Sequence, residues 1–315
     1  MKYSLNDFYK ELGISKQAVH QSRKRQIKFD NELEDLVKHA DLLKEEHPGC
    51  GVEKMYYTLM PEYVGRDKFC EIFLSLGYGV KKVKNYRRTT YPAHMSYPNL
   101  IEGMQLTRPY HVVQSDITYF YLHGRYYYLI FNIDVYTREI VSYNVSDHMR
   151  TEANMKTLRK ALKTMDFSPG DLIHHSDRGT QYASNAYTGL LKKSGIHVSM
   201  GLIATDNAYA ERVNGIIKNE YLSYWNIKDE KDLRLRVKRA VNHYNTKRKH
   251  RSHGMKYSPL EFKKTWLTLS AQQRPKVTIY TEGKVNLKGA SSPYEICPTK
   301  EPQAHNCPME LEFNI

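Results

Sequence analysis

The chain has 315 residues, 40% of them hydrophobic and 26% charged, an ordinary globular composition with length for two or three domains at roughly 100–200 residues each. No stretch approaches the ~18 apolar residues of a membrane span, the opening MKYSLNDFYKEL lacks the apolar heart of a secretory leader, and the scattered Cys50, Cys70, Cys297 and Cys307 make no disulfide framework. A cytoplasmic protein is expected. Lys and Arg number 48 against 34 Asp and Glu, a net charge of +14, which favours a polyanionic partner, nucleic acid above all. Residues 226–315 carry 18 of the basic and 9 of the acidic side chains, and Arg234 to Lys256 holds nine Lys or Arg and no acid. The plainer reading of that block is a solvated helix face.

Residues 1–28 read as a helix-turn-helix. Ser4 with Asp7 can cap a first helix, and Leu5, Phe8 and Leu12 form an apolar stripe on it. Gly13 turns the chain. Ser15 caps a second helix whose Val19 points back to a core with Ile14. That helix presents Lys16, Gln17, His20, Gln21, Arg23 and Lys24, the amides and cations that reach base edges and phosphates in a major groove; a plain helical hairpin is the alternative. Residues 29–90 read as a helical domain. It begins with an amphipathic helix over 31–47, with Leu33, Leu36, Val37, Ala40 and Leu43 inward. HPGCG (47–51) breaks that helix, and helices near 52–60 and 66–76 end at Gly77 and Gly79. The basic KKVKNYRRTT (81–90) reads as an arm, and 91–107, with Pro92 and Pro98, as a linker.

Over 108–226 the period changes. HVVQSDITYFYL, RYYYLIFNID and REIVSYNVS are β-rich runs parted by turns at His123-Gly124 and Tyr136-Thr137. A helix at 152–165, the apolar run DLIHHSD (171–177), a helix near 183–194, the strand HVSM and a helix over 206–224 follow. The order β-β-β-α-β-α-β-α describes an α/β fold, a mixed sheet with helices on its faces. Many of the 26 tyrosines lie in these strands and fit half-buried sheet positions better than base stacking. A basic helical extension (227–268) and a tail of unassigned role (269–315), with strands expected around 276–288, complete the chain.

Three isolated carboxylates stand out. Asp116 lies in the middle of the first strand run, where an unpaired charge is costly. Asp177 ends a short strand before Arg178-Gly179, a common position for a site residue. On the helix after Asp206, Ala210, Val213, Ile217 and Tyr221 make one apolar face, and Asn207, Glu211, Asn214 and Lys218 make a polar stripe. Such a stripe is commonly solvent-exposed; here two acids on strands accompany it. Three carboxylates from separate elements suit two hard cations such as Mg²⁺, a pair able to activate a nucleophile and stabilise the leaving oxygen of a phosphodiester. Lys218, two turns beyond Glu211, can contact a DNA phosphate; an ordinary surface lysine is the alternative. Asp134 reads as structural, paired with Arg138, Asp206 as a helix cap, and His174 and His175 as local structural or substrate-positioning groups. Cys297, His305 and Cys307 lack the paired spacing of a zinc site.

DITYFYLHGRYYYLIFNIDVYTREIVSY, HHSDRGTQYAS and DNAYAERVNGIIKNEYL, in that order, resemble the integrase-type catalytic core of bacterial insertion-sequence transposases of the IS-three group. VNHYNTKRKHRSHGMKYSPLEF resembles that family's C-terminal motif, and residues 50–90 the small helical DNA-binding region before the core. The resemblance implies a ribonuclease-H-like fold, a five-stranded mixed sheet preceded by all-α DNA-binding modules. It also implies a DDE triad of Asp116, Asp177 and Glu211 holding two Mg²⁺ ions, with Mn²⁺ able to substitute. The implied activity is 3′-end cleavage and strand transfer at terminal inverted repeats and target DNA, by a homo-oligomer associated with the nucleoid when bound. Lys218 matches a basic position implying contact with the transposon end, and Lys247, Arg248 and Arg251 are expected on phosphates. The 33 residues between Asp177 and Glu211 fall slightly short of the family's usual spacing, and Arg212 stands where a serine is common. Two other readings share these features: a nuclease of the same fold without joining activity, and a non-catalytic DNA-binding regulator derived from a transposase.

Overall fold

The computed structural model describes residues 5–80, 97–201 and 204–279; the basic arm at 81–90, most of the tail, and Cys297, His305 and Cys307 lie outside them. Helix α1 (Leu5–Glu11) and helix α2 (Lys16–Glu46) meet at Gly13, whose φ of +64° needs no Cβ. Ser15 caps α2 as expected, its Oγ accepting from Ala18 N at 3.1 Å. Two expectations are corrected. No break separates residue 28 from 29: α2 is one helix of 31 residues, because its sequence holds no Gly or Pro. The stripe on α1 is not a core either: Leu5, Phe8, Leu12 and Ile14 are all exposed, since a seven-residue helix offers too little surface to bury them.

The far half of α2 packs on α3 (Val52–Leu59) and α4 (Arg66–Ser75). Leu36, Ala40, Met55, Phe69 and Phe73 form that core, the two phenyl rings stacked at 4.1 Å. This small bundle is where the inward positions expected for 31–76 find their partners.

After strand β1 (Gln105–Leu106), the central sheet begins with β2 (Val112–Leu122), β3 (Arg125–Asp134) and β4 (Ile140–Ser146). β2 and β3 form an antiparallel hairpin closed by His123 and Gly124, both at positive φ, as a two-residue turn matched to strand twist requires. Helix α5 (Thr151–Thr164) crosses over to β5 (Ile173–Ser176), parallel to β2. Helices α6 (Thr180–Ala183) and α7 (Asn185–Lys193) then lead to β6 (His197–Met200), parallel to β5. The spatial order is β4-β3-β2-β5-β6, the ribonuclease-H-like arrangement of antiparallel and parallel strands.

Alternate β2 and β3 side chains point to opposite faces. Val113, with Leu158, Leu172, Tyr187 and Leu191, builds the core under α5 and α7. Leu129, Phe131 and Ile133 build the other, under α8 (Ala208–Ile216), the π-helical turn Ile217–Leu222 and α9 (Glu230–Thr246). Ala210, Val213, Ile217 and Tyr221 are all buried there, as their spacing requires. Leu233, Val237, Ala240 and Tyr244 of α9 join the same core, so the basic extension packs as part of the body built on the central sheet. Helix α10 (Pro259–Thr268), started by a Ser258–Glu261 capping box, precedes β7 (Val277–Thr278), which pairs antiparallel with β1.

Candidate active site

The site forms where β5 ends beside β2. The parallel register closes at Ser115–Ser176, so Asp116 and Asp177 are the next residues on neighbouring strands, which run ~4.8 Å apart. Asp177 turns its carboxylate back on its own loop, where Oδ1 accepts from Gly179 N at 3.0 Å. Asp116 shares the β2 face of Gln114 and Thr118, the face α8 covers.

The polar stripe of α8 does not face solvent. Asn207 Nδ2 donates to the Ser115 carbonyl at 3.1 Å, Asn214 Nδ2 to Asp116 Oδ2 at 2.7 Å and Lys218 Nζ to Thr118 Oγ1 at 3.3 Å. Side chains at a helical period thus clamp successive positions of β2. Gln114 completes the clamp: its Nε2 donates to the Asp206 carbonyl at 3.1 Å, and its Oε1 accepts from Ala210 N at 3.2 Å. Sequence reasoning passed over Gln114, although an amide inside an apolar strand run is itself a signal, because it must find partners when buried. Glu211, on the same stripe, stays exposed beside the two aspartates.

Their electrostatics bind the three acids into one site. Burial, then the charges of Asp177 and Glu211, push the Asp116 carboxyl well above the usual carboxylate range. Desolvation and Asp177 raise Glu211. Desolvation lowers the Lys218 ammonium. Like charges held together and partly dried resist ionisation, and an all-oxygen donor set of this kind suits hard divalent cations. Among the described residues no three His, Cys, Asp or Glu already converge into an ion cage.

The residues expected to touch DNA divide. Lys16, Gln17, Gln21, Arg23 and Lys24 are all exposed on the first turns of α2. Lys247 and Arg251 lie at the surface, their ammonium and guanidinium 2.7 Å from Glu46 and Glu53. Arg248 is a correction: it is 5% exposed and donates from Nε and Nη2 to Glu220 at 2.8 and 2.7 Å, an internal bidentate pair closed to phosphate. The acid-free window is also less one-sided than it reads, since Arg234 and Arg236 reach back four residues to Glu230 and Asp232.

Glu220 is a second residue that sequence reasoning missed. It sits in the π-helical turn two residues after Lys218. It also accepts from His47 Nε2 at 2.6 Å and from Lys54 at 3.1 Å, while its carbonyl accepts from Gly49 N at 2.8 Å. His47 stacks on Tyr221 at 4.7 Å. One carboxylate thereby fastens the helical bundle to the helix that carries Glu211.

The remaining expectations resolve into structural roles. Asp134 is buried, but its partners are Tyr110 N, Thr137 N and Thr137 Oγ1, while the Arg138 guanidinium lies over the Tyr209 ring at 4.0 Å. The N-cap position of α8 belongs to Asn207, with Asp206 in the preceding turn. His174 pairs with the Tyr187 hydroxyl and His175 with Ser199 Oγ, both buried.

Two family models described as integrase core domain match residues 107–204 and 194–257. An insertion element IS600 uncharacterized 31 kDa protein of Shigella sonnei is 33% identical over 214 residues, 66% of this chain and 78% of that protein. The transposase for insertion sequence element IS629 of Shigella sonnei is 31% identical over 210 residues, 65% of this chain and 70% of that one. Among solved structures, the HTLV-2 integrase catalytic core domain in complex with magnesium aligns with a TM-score of 0.37 at 20% identity, over 44% of this chain and 86% of that chain.

Proposed function

Because the chain belongs to the insertion-element transposases with an integrase core, we propose that Asp116, Asp177 and Glu211 are the DDE acids of a DNA strand-transfer reaction. The observation that carries this is their placement: the middle of β2 and the end of neighbouring β5 supply two acids, and α8, clamped to β2, supplies the third. The IS-three grouping read from the motifs belongs to the same proposal.

The three carboxylates are the groups that would hold Mg²⁺ or Mn²⁺. Bound there, such a cation would supply Lewis-acid activation of an attacking oxygen and charge stabilisation for the leaving 3′ oxygen. Asn214 holds the Asp116 carboxylate by one oxygen and fixes its direction. Lys218, at the edge of β2, meets a phosphate of the element's end. Water cleaves a 3′ end first, and the freed 3′-OH then attacks a second phosphodiester in line, with no covalent enzyme intermediate. The exposed cations and amides of α2 bind the terminal inverted repeats, and Lys247 and Arg251 the backbone of repeat or target DNA. Joining two ends to one target calls for a homo-oligomer on DNA. No helix among the described residues is long and apolar enough to cross a membrane.

The test is a cleavage and strand-transfer assay on the element's own flanking repeats with Mg²⁺, Mn²⁺ or EDTA. Joined products that need a divalent cation and vanish with Asp116→Asn, Asp177→Asn or Glu211→Gln, while repeat binding persists, bear the reading out. Cleavage without joining leaves a nuclease. Binding without any cleavage leaves a regulator.

A further inference from the structure

The tip of the β2–β3 hairpin carries aromatic side chains that the core does not use. Beyond Ser115–Ser176 β2 has no β5 neighbour, and beyond Tyr128–Ser146 β3 has no β4 neighbour, so the two strands project as a ribbon. On one face of it Phe120, Leu122 and Tyr127 pack into the core under α8 and α9. On the other, the register sets Tyr119 opposite Tyr128 and Tyr121 opposite Tyr126. Tyr119 and Tyr126 meet edge to face at 5.6 Å, and Tyr121 and Tyr126 at 4.9 Å. Tyr121 and Tyr126 remain 58% and 41% exposed. Half-burial, the sequence expectation for the strand tyrosines, therefore fails at this tip.

Lys218 connects this face to the active site. Its Nζ lies 3.3 Å from Thr118 Oγ1, on the Asp116 face of β2, and 4.7 Å from the centre of the Tyr119 ring, on the opposite face. It therefore sits on the free edge of the strand, between acids and aromatics. Residues 117–133 contain Arg125 and no acid, so a polyanion leaving the active site along this edge meets a cation and then rings. The run from Asp116 to Tyr121 is five residues, ~17 Å of extended strand.

We propose that Tyr119, Tyr121 and Tyr126 form a stacking platform for unpaired bases of the DNA strand next to the bond being cut, with Lys218 on the phosphate between platform and acids. The exposed rings of Tyr121 and Tyr126 offer π-faces to a base without reading its identity, and the partly exposed Tyr119 braces them beside Lys218. A duplex hides its base faces, so the occupant is single-stranded DNA. The inference rests on DNA being the substrate of the acids, and it names the state of that DNA at the site.

The experiment uses the full chain and two probes. One is a 20-nucleotide single strand carrying one 2-aminopurine, and the other is the same strand in a complete duplex. Stacking on tyrosine quenches the probe in the single strand. Tyr121→Leu with Tyr126→Leu keeps apolar cross-strand contact but removes the rings. It is expected to abolish the quenching and weaken single-strand binding about 10-fold or more, the loss of one stacked base, with duplex affinity unchanged. Tyr121→Phe with Tyr126→Phe is expected to keep quenching and affinity. Unchanged single-strand binding and quenching in the Leu pair overturns the platform. So does an equal loss of duplex affinity, which would mean phosphate contact, or an equal loss in the Phe pair, which would mean hydroxyl hydrogen bonding. Should the Leu pair fail to fold, Tyr121→Leu alone, at the more exposed ring, carries the same comparison. The readout needs no cleavage: a chain that quenches the probe but cuts nothing keeps the platform and removes the strand-transfer reading.

Discussion

The amide of Asn214 donates to Asp116 Oδ2 at 2.7 Å and so joins the second turn of α8 to the middle of β2. That bond sets the direction of a carboxylate that burial and two neighbouring acids already push toward its neutral form. A side chain that orients a metal-binding carboxylate typically contributes 10–100-fold in affinity or activity. Asn214→Ala should therefore lower strand-transfer rate by about that factor and raise the divalent concentration needed for half-maximal rate. Binding of the repeat should not change, because Asn214 is buried. Rate measured against Mg²⁺ concentration checks it; an unchanged midpoint would reduce Asn214 to packing.

Glu220 makes a prediction about the whole molecule. Burial pushes its carboxyl up, but the Arg248 guanidinium, His47 and Lys54 together overcome this and hold it well below the usual range. Removing one partner of such a buried group strands the others and costs about 3–5 kcal/mol. Glu220→Ala should lower the melting temperature by several degrees and expose the bundle, α2 to α4, to proteolysis before the catalytic core. Gly49→Ala should do the same from the other side, because a Cβ there meets the Cα and carbonyl of Glu220 itself. Limited proteolysis with mass identification separates undocking of the bundle from global unfolding.

The catalytic half was more legible in the sequence than the join between the halves, for a physical reason. The strand runs and the spacing of Asn207, Glu211, Asn214 and Lys218 are local facts, and they carried the position of Asp116 on β2 and the two faces of α8. Glu220 reads locally as a charged residue in a helix. Its role exists only because His47, Lys54 and Arg248 arrive from positions far along the chain. Arg248 misled for the same reason: a cation in a basic run carries no local mark that its partner lies 28 residues upstream. The unbroken α2 was legible in principle, since nothing in Lys16–Glu46 breaks a helix.

Several buried histidines give the fold a one-sided pH dependence. Burial lowers His47 to about 3, His243 to about 4 and His253 to about 4. Each is neutral when folded and takes up a proton at ~6.5 when unfolded. The unfolded chain thus binds more protons between about pH 6.5 and 4, and stability falls as pH falls through that window, by up to ~1.4 kcal/mol per pH unit for each such group. Glu220 adds to the loss only at the acid end of that window and below it, where its carboxyl takes up a proton at ~4.3 in the unfolded chain but stays charged in the fold. Denaturant midpoints at pH 7 and pH 5 should differ, and His243→Asn should reduce the difference.

Arg248 and Arg251 are three residues apart and should behave oppositely. Arg251 is 82% exposed at its side chain and paired with Glu53 at the surface, a contact worth little by itself and free to exchange for phosphate. Arg251→Ala should leave the melting temperature within a degree or so, weaken DNA binding across sequences and reduce the slope of log affinity against log salt by about one. Arg248→Ala should instead destabilise the fold, because it leaves Glu220 buried with fewer partners, and should leave the salt slope of the folded fraction alone. Binding isotherms at several salt concentrations, beside thermal melts of both variants, decide it. A reduced slope with Arg248→Ala would return that residue to the DNA interface, and an unchanged slope with Arg251→Ala would remove Arg251 from it.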